Sequence, residues 1–152
     1  MDNDITSKLC DATSLPWPEF KDSDILEKGT LDTPFIALKD KILYIQGNSK
    51  LVNGNAINFY NPLMEKAETL ALDGKLNAVN VMLKEFNISG AYNIKILLET
   101  VVNGACKHDS TKPPKVNWYY EKNDESIREA GEDYARLVSF PFKFIEINGN
   151  QS

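Results

Sequence analysis

Short apolar runs alternate along the sequence with longer segments of helical periodicity, and this pattern is compatible with few folds. Between residues 79 and 147, three strand-like runs are separated by two segments in which apolar residues recur every three or four positions. Strands separated by helices of this length favour a parallel sheet with right-handed crossovers. Two earlier runs, 35–38 and 42–46, are joined only by Lys39-Asp40-Lys41 and predict an antiparallel hairpin.

These patterns predict an α/β fold with a mixed, mostly parallel central sheet, an N-terminal β-hairpin and the element order ββαβαβαβ. Capping residues set the predicted helix boundaries: Asn61 and Asp124 precede the first and third helices, and Gly74 and Gly104 end the first and second. The predicted elements cover residues 35–38, 42–46, 62–73, 79–86, 91–103, 116–120, 125–138 and 142–147. The helix residues expected to face the core are Leu63, Ala67, Leu70, Ala71, Ile94, Leu97, Leu98, Val101, Ile127, Ala130, Tyr134, Leu137 and Val138.

The chain of 152 residues has the size of one domain and enough apolar residues, 42%, to bury a core. Residues 1–30 show no strand or helix period apart from an isolated apolar cluster at 15–20, so we expect them to form a flexible N-terminal tail. We expect residues 31–148 to form a single α/β domain and residues 149–152 to form a C-terminal tail.

Charge and cysteine content narrow the class of partner and the compartment. With a net charge of −5 the chain lacks a broad basic surface that would attract phosphates, so we expect no nucleic-acid partner. The first twenty residues lack an apolar signal segment and no later run could span a bilayer, so we expect a cytoplasmic protein without membrane insertion. Cys10 and Cys106 lie far apart and outside any metal-binding spacing, which favours reduced thiols.

Sequence motifs give no sign of catalysis. The only histidine, His108, is predicted to lie in a surface loop, outside any Ser/His/Asp or Cys/His pattern. The motifs that bind dinucleotides or phosphates, and the nucleophile elbow, are missing. We therefore expect no enzymatic activity, no cofactor and no metal site.

Acidic residues cluster ahead of and within the third predicted helix. One interpretation is a solvated helix face on which Arg128 and Glu132 lie one turn apart and early acids favour the helix dipole. The other is a surface for a divalent cation or a basic partner. The cluster comprises Glu121, Asp124, Glu125, Glu129, Glu132 and Asp133.

The junction between the strand at 79–86 and the following helix carries a hydroxyl group at Ser89. Helix N-termini present free N–H groups and a partial positive charge, so a phosphate on Ser89 would be stabilised locally. The phosphate would also place about two negative charges on an exposed junction. A serine here equally suits an N-cap, which contributes about 1 kcal/mol. The residues alone leave both interpretations open.

Three segments are more specific than a general α/β pattern. One is Gly29-Thr30 with Thr33-Pro34, and the second is Asn58-Phe59-Tyr60-Asn61-Pro62. The third and most specific is Val116-Asn117-Trp118-Tyr119-Tyr120 followed by Glu129-Ala130-Gly131-Glu132-Asp133-Tyr134 and then by Phe140-Pro141-Phe142. With these segments the chain, from about Gly29 to Ile147, resembles the SiaC family of bacterial regulatory phosphoproteins.

The resemblance implies a STAS-like (SpoIIAA-like) α/β fold and a non-catalytic adaptor in a partner-switching pathway. In such a pathway the unphosphorylated protein binds and activates a diguanylate cyclase. A dedicated kinase phosphorylates the adaptor and a PP2C-like phosphatase restores it, which controls cyclic di-GMP output and biofilm formation.

The resemblance also implies where the switch lies. The family's phosphoacceptor is a threonine at the strand-to-helix junction, and its position in this chain is Ile88. Because isoleucine cannot accept phosphate, either Ser89 is the acceptor or the switch has been lost. We expect the partner to bind this junction and the adjacent loop 47–55. The predicted partner-binding residues are Asn48, Ser49, Asn87, Ile88, Ser89, Gly90 and Tyr92.

Two alternative functions stay open at this point. The first is a small-molecule or lipid carrier, or an undetected enzyme, with a pocket lined by Trp118, Tyr119 or Tyr60. The second is an anti-anti-sigma-type regulator that keeps the STAS-like logic and binds a different partner.

Overall fold

The architecture is a mixed β-sheet with helices on one face, described from a computed structural model. Within the residues that the structure describes, 16–137 and 142–148, six strands pair in the order β1-β2-β3-β4-β5-β6. The first two pairings are antiparallel and the other three are parallel, which confirms the mostly parallel sheet with an N-terminal hairpin. The strands are β1 Ile25–Lys28, β2 Pro34–Lys39, β3 Ile42–Ser49, β4 Ala78–Phe86, β5 Lys115–Glu121 and β6 Phe142–Ile147.

Each parallel connection passes through a helix: α1 Asn53–Leu72, α2 Ile88–His108 and α3 Glu125–Leu137. Because the strands follow one another in order and crossovers are right-handed, all three helices lie on the same face of the sheet. Their buried side chains join those of the strands in one main core. None of these helices is both long and apolar enough to cross a membrane.

The N-terminal hairpin turns where the sequence predicts it, and a further strand precedes it. Asp40 and Lys41 both have positive φ, 54° and 68°, which is the backbone of a two-residue turn between twisted strands. The predicted order ββαβαβαβ lacks β1, because residues 1–30 were predicted to form a flexible tail. Within that stretch the backbone of Ile25–Lys28 pairs with β2, so these four residues belong to the sheet. Residues 1–15 and 149–152 lie outside the described residues.

Helix α1 begins at Asn53, nine residues before the predicted start at Pro62, so Asn61 is not its N-cap. A proline inside a helix removes one backbone hydrogen bond to the residue four positions earlier. Here that residue is Asn58, which is exposed, so its carbonyl group can be solvated. The buried residues of α1 recur at spacings of three and four across the proline, which explains why the helix continues: Ala56, Tyr60, Leu63, Ala67 and Ala71.

Helix α2 is longer at both ends than the predicted 91–103. Gly104 does not end it. A Cβ atom at this position would lie 2.8 Å from Cβ of Ala71, so the glycine serves to let α1 and α2 pack closely. His108 is therefore the last residue of α2 and not a loop residue, and its Nδ1–H donates to the carbonyl of Leu72 at 3.1 Å. Cys106 is a free cysteine of the same helix, while Cys10 lies outside the described residues.

Helix α3 follows Asp124 as predicted, with the Asp124 carboxylate accepting from the backbone N–H of Ile127 at 3.2 Å. The prediction that Leu137 faces the core is wrong, since this residue is 67% exposed at the end of the helix. Val138 lies outside the described residues. Within the acidic cluster, Arg128 and Glu132 are paired at 2.7 Å on the helix surface, as the solvated-face interpretation predicts for these two residues.

The aromatic side chains proposed for a ligand pocket do not share one. Trp118 and Tyr60 are fully buried in the main core on the helix side of the sheet. Tyr119 points to the opposite face, where it packs with Met82 and Ile147. The carrier alternative therefore loses the pocket that suggested it.

Candidate functional site

The candidate site lies at the carboxyl ends of β3 and β4, where the chain enters α1 and α2. In parallel α/β sheets this edge collects helix N-termini and loops, and it is where binding sites usually form. The predicted junction, Asn87 to Tyr92, and part of the predicted loop 47–55 meet here.

Asn87 organises this junction. Its backbone is extended, and its side-chain Oδ1 accepts from the N–H of Gly90 at 2.6 Å, so it is the N-cap of α2. Its Nδ2 donates to the carbonyl of Lys50 at 2.8 Å, and its backbone N–H donates to the carbonyl of Ser49 at 3.2 Å. One side chain thus fixes the start of α2 to the end of β3.

Ser89 is the second residue of α2 and not its cap, because Asn87 already occupies the capping position. The N-cap interpretation of Ser89 is therefore wrong. The Asn93 amide donates to the Ser89 carbonyl at 2.9 Å and lies 3.5 Å from its hydroxyl oxygen. Ser89 is half-buried at the edge of the junction.

Gly90 and Ser49 are buried where α2 passes over the end of β3. A Cβ atom on Gly90 would overlap the Ser49 carbonyl oxygen, so only glycine permits this approach. The Ser49 hydroxyl shares a 2.5 Å hydrogen bond with the Tyr60 hydroxyl, and burial raises the pKa of Tyr60 to about 12 against the opposing effect of that bond. Two of the predicted partner-binding residues, Ser49 and Gly90, therefore shape the site from beneath.

The motif that carries the family resemblance supports the same junction from α3. The Tyr134 hydroxyl donates to the carbonyl of Ala91 at 2.5 Å. Its ring contacts Trp118 edge-on at 5.4 Å, and Trp118 Nε1–H donates to the carbonyl of Ile127 at 2.9 Å. Burial also raises the pKa of Tyr134, so it remains a neutral donor at physiological pH. The WYY strand and the EAGEDY helix thus hold the first turn of α2 in place.

Above this framework lies an open groove of about 740 Å³ between the first turns of α1 and α2. Its walls carry apolar side chains that are unusually exposed: Ile88 is 91% exposed, Tyr92 61%, Ile57 55% and Val52 52%. Charged side chains are missing from the described lining. The lining residues are Val52, Asn53, Ala56, Ile57, Asn87, Ile88, Ser89, Tyr92 and Asn93.

The structure brings together most of the predicted site and adds one wall to it. Asn87, Ile88, Ser89 and Tyr92 line the groove. Asn48 does not line it, since its amide donates to the carbonyl of Leu31 at 2.9 Å. The other groove wall consists of Val52, which lies in the predicted loop 47–55, and of Ala56 and Ile57, which sequence reasoning missed because it placed the start of α1 after them. Their spacing to Tyr60 was the available signal.

The surroundings of the groove offer surface charge and no metal site. Lys50 and Glu85 form an exposed pair at 2.8 Å, in which the hydrogen bond from Lys50 lowers the pKa of Glu85. Among the described residues, His, Cys, Asp and Glu side chains form no group of three or more that could hold a metal ion. The chemistry available at the groove is apolar contact, amide hydrogen bonding and one serine hydroxyl.

Comparison with known proteins gives consistent results. The model of the family described as SiaC family regulatory phosphoprotein matches residues 27–147. A chain in the crystal structure of the diguanylate cyclase SiaD in complex with its activator SiaC from Pseudomonas aeruginosa is similar with a TM-score of 0.65 and 22% identity, over 79% of this chain and 97% of that one. The crystal structure of apo-SiaC from Pseudomonas aeruginosa is similar with a TM-score of 0.63 and 21% identity, over 80% of this chain and 98% of that one. No curated protein matches the sequence significantly.

Proposed function

This chain belongs to the SiaC family of regulatory phosphoproteins, and we propose that it is a cytoplasmic, non-catalytic adaptor that binds a diguanylate cyclase and activates it. The SiaC of Pseudomonas aeruginosa is described as the activator of the cyclase SiaD in their complex. The observation that supports the same role for this chain is the uncharged apolar groove at the N-termini of α1 and α2.

The groove has the character of a protein-binding surface. Four large apolar side chains are exposed next to one another on its rim, whereas apolar side chains scattered singly are the normal state of a protein surface. Asparagine side chains and Ser89 add polar groups at the edges, as in the rim of a typical interface. Ile88 and Tyr92, one turn apart on α2, are the natural anchors for a partner.

We also propose that Ser89 is the phosphoacceptor through which a kinase and a PP2C-like phosphatase control this docking. Its hydroxyl lies on the rim of the groove, between Ile88 and Tyr92 in sequence and within the first turn of α2. A phosphate there would bring about two negative charges into an uncharged apolar contact surface. The unphosphorylated form would therefore bind the cyclase and the phosphorylated form would release it.

Docking is tested by replacing one exposed anchor. Tagged protein is used to retain partners from a lysate of the source organism, and mass spectrometry identifies any diguanylate cyclase retained. Ile88→Asp should abolish its retention, because a charge would have to be desolvated in the contact. Leu137→Asp is the matched control, since Leu137 is 67% exposed at the opposite end of the helical layer. Equal retention by both variants would overturn the groove as the docking site.

Phosphorylation is tested separately, on the peptide spanning Phe86 to Lys95 from protein isolated from resting and stimulated cells. The expected result is a phosphate on Ser89 that disappears in Ser89→Ala. If that peptide is well covered and never modified, the switch has been lost at Ile88. Cyclase binding would then be constitutive, which leaves the docking proposal standing without its regulation.

A further inference from the structure

The face of the sheet that the helices leave uncovered carries an aromatic surface, and a segment of the same chain lies on it. We call this surface the open face; it includes Tyr44 of β3, Met82 of β4, Tyr119 of β5, and Ile145 and Ile147 of β6. The N-terminal segment, residues 16–21, contacts this face through Trp17, Glu19 and Phe20 before the chain enters β1. The open face is separate from the groove, which lies at the end of the sheet.

Ring contacts hold the N-terminal segment on the open face. Trp17 packs edge-on against Tyr44 at 5.1 Å and against Tyr119 at 5.8 Å. Phe20 packs against Tyr44 at 4.9 Å and against Phe35 at 5.5 Å. Such ring pairs are favourable beyond the apolar area that they bury. The segment therefore binds through two aromatic anchors spaced three residues apart.

A backbone contact and two prolines define how the segment binds. The Lys39 ammonium group donates to the carbonyl of Glu19 at 2.8 Å, which fixes the chain between the two anchors. Pro16 and Pro18 flank Trp17 and restrict the backbone to an extended form, which reduces the entropy lost on binding. The Trp17 indole N–H is buried and meets no acceptor in the part of the chain that the structure describes. The contact thus combines apolar ring packing with one hydrogen bond to the peptide backbone.

The segment lies outside the part of the chain that the family shares. The family model begins at residue 27, and the SiaC chains are covered almost completely, by 97% and 98%, from about four fifths of this one. The open face of this protein therefore accepts something that the family fold does not itself include. The sheet recognises the segment through Tyr44 and Tyr119, which both contact Trp17, and through Phe35, which contacts Phe20. Lys39 adds a hydrogen bond to a peptide carbonyl.

We propose that the open face is a docking surface for an extended, proline-flanked aromatic peptide, and that residues 16–21 of the same chain occupy it. The sequence Pro-Trp-Pro-Glu-Phe supplies the ligand and the sheet supplies the receptor. This inference is independent of the proposed function, since it involves neither the groove nor Ser89.

The first test uses the full chain labelled with 5-fluorotryptophan and ¹⁹F NMR. The protein has two tryptophans, so Trp17→Phe assigns both signals, and the signal of Trp118 reports whether each variant is folded. The Trp17 signal should differ from that of a free peptide of residues 16–22, at all protein concentrations. Tyr119→Ala should return it to the free-peptide position, whereas Glu19→Ala, which keeps the backbone carbonyl, should leave it unchanged.

The second test supplies the ligand in trans. A fluorotryptophan-labelled peptide of residues 16–22 is titrated with full-length Trp17→Ala protein, and a peptide of scrambled order is the control. A tethered segment has an effective concentration of order millimolar, so a segment bound in cis requires a dissociation constant of about 1 mM or tighter in trans. The expected result is a saturable shift for the native order alone.

Three outcomes would overturn the proposal. A Trp17 signal at the free-peptide position in the wild-type protein would mean that the segment does not bind. A signal that moves with protein concentration would place the segment on a second copy of the chain. Equal behaviour of the native and scrambled peptides with Trp17→Ala would mean that the open face does not recognise this sequence.

Discussion

Replacing Asn87 by alanine tests the framework beneath the groove. The substitution removes the N-cap hydrogen bond to the Gly90 N–H, at 2.6 Å, which is worth about 1 kcal/mol. It also removes the bond from Nδ2 to the Lys50 carbonyl, at 2.8 Å, worth about 1 kcal/mol more. We therefore expect Asn87→Ala to lower the free energy of unfolding by about 2 kcal/mol.

Urea unfolding followed by circular dichroism measures this loss. For a domain of this size, a slope of about 2 kcal/mol per molar urea converts this loss in the free energy of unfolding into a midpoint lower by about 1 M.

Two control variants separate the contributions of the two hydrogen bonds of Asn87. Asn87→Asp keeps the capping acceptor and loses the donor, so it should cost about half as much. Ser89→Ala removes a hydroxyl that caps nothing, so its cost should stay within about 0.5 kcal/mol. A loss of stability in Ser89→Ala as large as that in Asn87→Ala would mean that Asn87 is not the residue that caps α2.

Three further substitutions probe the close contacts of the fold. Gly90→Ala should destabilise the protein by about 2 kcal/mol in urea, because its Cβ would overlap the Ser49 carbonyl, although helix propensity alone predicts a gain. Gly131→Ala should cost a similar amount and alter the near-ultraviolet signal of Trp118, since a Cβ there would lie 2.5 Å from the indole nitrogen. Absorbance at alkaline pH should show a tyrosine that ionises near pH 12 and is lost in Tyr60→Phe. Unfolding lowers that pKa towards 10, so the unfolded state loses the Tyr60 proton first and the free energy of unfolding falls between pH 10 and about 12. The contribution of Tyr60 to this slope is at most about 1.4 kcal/mol per pH unit. A wild-type slope no steeper than that of Tyr60→Phe would contradict this.

The parts of the fold that could be predicted are those with a strong local pattern. The alternation of strands and helices predicted the mixed sheet, and Asp124 predicted the start of α3 because a capping carboxylate acts within three residues. Predictions failed where tertiary packing overrides a local rule. Pro62 lies inside α1 because the apolar stripe continues past it, and Gly104 lies inside α2 because it packs against α1.

The site was predicted in part for the same reason. The junction at Asn87 to Tyr92 follows from the order of one strand and one helix, which a sequence displays directly. The opposite wall also includes Ala56 and Ile57, which belong to a helix whose start was predicted too late. The contact of Trp17 with the open face joins residues far apart in sequence, so no local period could indicate it.

If the groove between α1 and α2 is the docking surface that we propose, activation of a diguanylate cyclase should require the exposed side chain of Ile88. The most direct measurement is the rate of cyclic di-GMP synthesis by the purified cyclase of the source organism, with increasing amounts of this protein. We expect stimulation by the wild type and by Leu137→Asp, and at least about tenfold weaker stimulation by Ile88→Asp, because a central anchor is lost. Equal stimulation by Ile88→Asp, or none by the wild-type protein, would contradict the proposal.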